Sequence, residues 1–164
     1  MPRRRQRGRS RGFQGRRLVS EKEELPAPEK LPEPSKWILL SKGPKTHVFG
    51  KGNQEAVPTK PGCYEIGLSE PNQEPRDNWV VYVGVAGIGK THNLRGRFYN
   101  HASGHGANTV PAMDRALKRG YWVWARYYET SDAIEARDLE KRFIKDGWWH
   151  YHWNKSGVPP DLLS

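Results

Sequence analysis

Apolar residues gather late in this chain. The first cluster, Trp37-Ile38-Leu39-Leu40, stands alone and reads as an extra strand or a segment packed on a domain edge. Through Thr59 the pattern is too broken to assign a period. After Lys60-Pro61-Gly62 it becomes readable. CYEIGL (63–68) and WVVYVG (79–84) are rich in β-branched and aromatic residues and predict two strands. The polar stretch 69–78 joins them as a long-looped hairpin. Asn93 is the expected N-cap of a helix running to about His101. Pro111 suits the first turn of a second helix, with Met113, Ala116 and Leu117 on one face and Gly120 at its end. YWVWARYYE (121–129) is apolar on both alternating faces, the pattern of a central strand. A third helix is expected over 132–145, with Asp132 and Glu135 as a capping-box pair and Gly147 just past its end. The order β-β-α-α-β-α defines an α+β fold, a small central sheet of about three strands flanked by helices. No internal repeat is visible.

Composition divides the chain further. Residues 1–20 read as a basic disordered arm; residues 1–17 alone hold eight arginines and no acid. Residues 21–36, with Pro26, Pro28, Pro32 and Pro34, form a charged, polyproline-like spacer. Residues 37–60 are expected as an irregular extension packing on the domain, 61–156 as the domain, and 157–164 as a tail. Of the formal charge of +10, the arm carries +8 and the remainder +2, so basicity is mainly a property of the arm. Dense cationic charge suits a polyanion, because each neutralised phosphate releases counterions. Phe13 is the arm's only apolar anchor, which makes a membrane-surface helix a poor fit. No stretch approaches the ~20 apolar residues of a membrane span, and no secretory signal follows the arginines. The single cysteine, Cys63, excludes an intrachain disulfide and a cysteine-rich zinc site. A nuclear or cytoplasmic protein is expected; the arginine-rich start also suits mitochondrial targeting. Oligomeric state is not readable.

Helical phase then picks out residues with chemistry. With Ala136 at 0°, Phe143 falls at about −20°, Ala133 at about 60° and Ile144 at about 80°. Glu140 falls at about 40°, inside that apolar stripe. A carboxylate aimed at a core is costly unless it is paired or binds a cation. Two readings fit: a buried ion pair with Arg97 or Arg126, or a ligand for a hard divalent metal. The first helix shows the same anomaly with opposite charge, since Arg97 and His101 fall within about 60° of Leu94. An inward arginine is either a structural ion pair or a clamp on a phosphate oxygen.

Gly62-Cys63-Tyr64 followed by Tyr82-Val83-Gly84 resembles the paired strand motifs that name the GIY-YIG nucleases. Arg97 in NLRGR, Glu140 on the last helix and Asn154 beyond it fall in that family's order. The likeness covers residues 61–154. It implies a metal-dependent endonuclease that hydrolyses phosphodiester bonds in nucleic acid, DNA ahead of RNA. Tyr64 would orient or deprotonate the attacking water, and Tyr82 would position water and phosphate. Arg97 would stabilise charge on the phosphoryl oxygens, Glu140 would hold a single Mg²⁺ or Mn²⁺, and Asn154 would brace the site. His101 and His105 both lie where an assisting histidine is expected. Lys90 and Arg95, with Arg97, are the expected nucleic-acid contacts. Two departures stand out: the insert 65–81 between the motifs is long, and so is the loop through Thr91.

GVAGIGKT (84–91) competes with this reading, because it matches the phosphate loop of nucleotide-binding proteins between a strand and a helix. Against it, no downstream strand ends in the aspartate that completes the Mg²⁺ site, and too few strands follow for a parallel sheet. A third reading is a non-catalytic nucleic-acid module, built on the basic arm and the aromatic run Trp148-Trp149-His150-Tyr151-His152-Trp153. That run equally suits packing against the last strand or turn.

Overall fold

Cys63 and Tyr64 are neighbours in sequence yet point to opposite sides of one sheet, and that parity organises the molecule. The computed structural model of the chain describes residues 31–87, 89, 92–104, 109–147 and 149–154. The chain divides into two units, Met1–Pro32 and Glu33–Ser164, and every element below belongs to the second. The expected arm, most of the spacer and the tail lie outside the described residues.

Four strands, β1 (Ile38–Ser41), β2 (Gly62–Ser69), β3 (Val80–Ala86) and β4 (Trp122–Glu129), form one antiparallel sheet in the order β1-β4-β2-β3. The expectation of about three strands is corrected to four. The Trp37–Leu40 cluster is too short to show a period, but it supplies an edge strand because β4 offers it a free ladder. Ile38 pairs with Ala125 and Leu39 with Trp124. The extension 37–60 is therefore partly regular, with a single 3₁₀ turn at Gln54–Ala56 besides. As its pattern required, β4 is a central strand, between β1 and β2.

Three helices cover the sheet: α1 (Leu94–Ala102), α2 (Val110–Lys118) and α3 (Ala133–Gly147). Asn93 caps α1 by accepting from Gly96 N at 2.8 Å, which satisfies one of the helix's orphan donors. Pro111 sits in the first turn of α2, and Gly120 at φ 91° follows its end in the left-handed region that glycine tolerates. Asp132 Oδ1 accepts from Glu135 N at 2.8 Å, while Glu135 reaches back to Ser131 N and Oγ rather than to Asp132 itself. Gly147 is the last residue of α3 instead of the first beyond it.

Cross-strand register sorts the faces. Tyr64 pairs with Tyr127, and Ile66 with Ala125 and Tyr82. This face packs under α1 and α2 through Leu94, Phe98, Met113 and Leu117. Phe98 is fully buried; truncating it to alanine would cost about 3–5 kcal/mol. On the other face Cys63, Val83 and Tyr128 pack against Leu139 and Phe143 of α3. That helix lies over β2 and the edge strand β3.

The second face also buries a charge. Glu65 is 3% exposed and accepts from Arg126 Nε at 2.8 Å, Tyr128 Oη at 2.9 Å and Tyr151 Oη at 2.6 Å. The Arg126 guanidinium stacks 4.4 Å from the Trp37 ring. One carboxylate thus ties β2, β4, the strand-leading Trp37 and the C-terminal segment together. Among the described residues no helix is long and apolar enough to cross a membrane.

Candidate active site

Two strand tyrosines, one helix arginine and one helix histidine meet on the α1 face of the sheet. Tyr64 stands opposite Gly84, and Tyr82 opposite Ile66, so the two phenols are diagonal neighbours with ring centroids 6.2 Å apart. Gly84 makes this possible. A Cβ there would lie 2.5 Å from both the Tyr64 hydroxyl and its ring carbon, and 2.9 Å from the Tyr82 ring.

The phase of α1 that sends Leu94 and Phe98 into the core also carries Arg97 and His101 inward, as expected. His101 is 5% exposed, and its Nε2 lies 2.8 Å from the Tyr64 hydroxyl. Its Nδ1 lies 2.8 Å from Oγ1 of Thr109, a fully buried threonine at the start of α2. The His101 ring is also 5.9 Å from that of Tyr82. Between the two candidate histidines the geometry joins His101 to the tyrosines; His105 lies outside the described residues.

Electrostatics follow from burial and one cation. Burial, with the neighbouring Tyr82, pushes the Tyr64 phenol well above its usual range; Arg97 pulls the other way. Tyr82 is raised as well, by burial first and the Glu140 charge second. Burial and then Arg97 lower His101 to about 4, so at neutral pH it is an uncharged imidazole. Two neutral phenols and a neutral imidazole thus face one guanidinium. The Nε of Arg97 is buried and has no hydrogen-bond partner among the described residues. Such an atom carries a desolvation penalty of about 1–3 kcal/mol until an acceptor reaches it.

Glu140 comes from the other side. It sits midway along α3, yet its charge is felt by Cys63 on its own face and by Tyr82 on the far one. Burial raises its carboxyl pKa, against the pull of Arg137 and Lys141. The ion-pair alternative for Glu140 has no support among the described residues, since Arg126 pairs with Glu65. Asn154 braces the same region: its carboxamide accepts from Val83 N and donates to Val83 O, both at 2.8 Å. It thereby pins the outer edge of β3 between Tyr82 and Gly84.

No group of three His, Cys, Asp or Glu side chains converges among the described residues. The Glu140 carboxylate, half-buried and with no protein cation bonded to it among the described residues, is an oxygen donor of the kind a hard divalent ion takes.

Other expected residues fall elsewhere. The Nε of Arg95 donates to Val57 O at 2.8 Å, on the flank of α1 away from Arg97. Lys90 lies outside the described residues. The first three residues of GVAGIGKT belong to β3 in an antiparallel sheet, and α1 begins only at Leu94. In the aromatic run, Tyr151 and Trp153 are buried, Trp149 is exposed, and His150 Nδ1 bonds to Val80 O rather than standing ready as a ligand.

Sequence reasoning missed Thr109 and Glu65. Glu65 left a signal, a lone charge at the same strand parity as Cys63. Thr109 left none, because its partner lies across a loop. No protein-family model matches the chain, and neither a curated protein nor a solved structure matches it significantly.

Proposed function

We propose that residues 61–154 form a metal-assisted phosphodiesterase of the GIY-YIG type, an endonuclease acting on nucleic acid, with DNA the preferred substrate. The order strand, strand, helix, helix, strand, helix after residue 61 supports this reading, as does the antiparallel pairing of the two tyrosine strands. The observation that carries it is Arg97. A buried guanidinium nitrogen without a partner, beside two phenols and an imidazole, is built for an oxyanion that arrives with the substrate.

In this reading Arg97 holds the non-bridging oxygens of the scissile phosphate and opposes the charge that grows there. Tyr82, partly exposed, positions phosphate and water. The Tyr64 oxygen accepts a proton from the attacking water as its own proton passes to His101 Nε2, and Thr109 orients the imidazole through Nδ1. Glu140 would hold the Mg²⁺ or Mn²⁺, which would supply Lewis-acid stabilisation of negative charge on oxygen. Asn154 keeps β3, and so Tyr82, in register. The basic arm supplies sequence-independent affinity for the backbone.

The test is cleavage with Mg²⁺ across single-stranded, duplex, branched and RNA substrates, with wild type beside Glu140→Ala and Arg97→Ala. Wild type is expected to cut, with both variants down at least ~100-fold. Equal activity in Glu140→Ala and wild type removes the metal role, and a wild type that binds every substrate but cuts none leaves a non-catalytic module.

A further inference from the structure

A second concavity lies on the flank of α1 away from the tyrosines. It is a cavity of about 220 Å³ bounded by Phe49, Gln54, Thr59, Arg95, Tyr99 and Asn100. Phe49 forms a buried apolar floor at 1% exposure, while the Tyr99 ring is 50% exposed and available for stacking. The Gln54 carboxamide and the Thr59 hydroxyl on the wall supply both donors and acceptors, the mixture needed to bond the edge of a heterocycle. Arg95 is held in place by Val57 O through Nε and by Pro58 O through its backbone N–H. No carboxylate lines the space.

We propose that this cavity receives one unpaired nucleobase of the strand whose phosphate is held at Arg97. The inference rests on the nuclease reading. Size argues for a single planar ring system, because pockets for cofactor-sized ligands run to ~300–1,000 Å³. Charge argues for a ligand tethered to phosphate, since among the described residues the only ionised side chain on the wall is a guanidinium. Position argues for the same strand. Gly96 is also part of the wall and precedes Arg97 directly, so cut site and cavity are separated by the width of one helix, ~10 Å. At 3.4 Å per stacked nucleotide that is roughly three nucleotides. The consequence is selectivity for substrates with an unstacked base close to the cut, such as a single strand, a flap or a bulge.

The test uses the full chain with EDTA present, so that binding is read without cleavage. A fluorescein-labelled single-stranded DNA oligonucleotide is compared by anisotropy with the same strand carrying abasic residues in its central positions. Wild type is expected to bind the intact strand roughly 5- to 100-fold tighter than the abasic one. Tyr99→Ala should bring the intact strand to the abasic level, and Tyr99→Phe should keep the preference. A wild type indifferent to the bases, or a Tyr99→Ala protein that keeps the full preference, overturns the proposal. Mg²⁺-dependent cleavage separates it from the reading it rests on. Base-dependent binding without cleavage removes the nuclease, whereas cleavage without base dependence removes only the cavity's role.

Discussion

The hydroxyl of Tyr64 and Nε2 of His101 lie 2.8 Å apart inside the protein, a phenol–imidazole bond that joins β2 to α1. Burial disfavours charge on both partners: the phenol is raised and the imidazole lowered, so the resting pair is neutral. In the proposed reaction this is the pair through which the proton of the attacking water would pass to the imidazole.

The lowered imidazole makes stability pH-dependent. His101 titrates near 4 in the fold and near 6.5 when unfolded, so between those values the unfolded chain binds the extra proton. Stability from this residue is therefore complete above about 6.5 and is lost as pH falls towards 4. Denaturant unfolding of wild type should lose about 2 kcal/mol more between pH 7 and pH 5 than His101→Gln does. Parallel pH dependences in the two proteins would show that His101 is not held neutral.

Gly84 is the residue that lets the phenols lie across β3. Gly84→Ala places a methyl 2.5 Å from the Tyr64 ring and hydroxyl. Overpacking of this kind costs about 1–3 kcal/mol and displaces the tyrosine. The variant is expected to fold with a lower Tm and to lose cleavage. Unchanged Tm and activity would mean that the Tyr64 ring does not lie against Gly84.

Arg97 should separate stability from function. Its Nε is buried and has no partner among the described residues, so the fold gains little from it. Arg97→Met, similar in length and without a charge to desolvate, is expected to be at least as stable as wild type. Cleavage should fall roughly 100-fold. A marked loss of stability in Arg97→Met would make the arginine a structural residue.

Two inward carboxylates should behave oppositely. Glu65 accepts three hydrogen bonds, one of them from Arg126, so Glu65→Ala leaves a partly buried guanidinium and two buried phenols without their acceptor and costs about 3 kcal/mol. Glu140 has no such partners among the described residues, and burial penalises its charge. Glu140→Gln should leave the Tm unchanged or raised while abolishing Mg²⁺-dependent cleavage. Thermal unfolding with and without Mg²⁺ also reads the ion: wild type should be stabilised by it and Glu140→Gln should not.

The elements after residue 61 were legible because each carries its own local cause. β-Branched and aromatic residues mark β2 and β3, Asn93 and Asp132 mark helix starts, and Gly120 marks an end. The inward phase of Arg97, His101 and Glu140 was legible for the same reason, since one turn of helix fixes which side a residue faces. The strand Ile38–Ser41 was legible only as one of two readings, an extra strand or a segment packed on an edge, because so short an apolar cluster becomes a strand only where a partner ladder awaits it.

By itself the chain determined the order of its elements and which face of each element its unusual residues occupy, because those depend on contacts a few residues apart. Only tertiary structure decided who meets whom. Arg126 pairs with Glu65 and not Glu140, Thr109 holds His101, and Asn154 pins Val83, because each pair is brought together by sheet register and helix docking across stretches where local sequence has no influence.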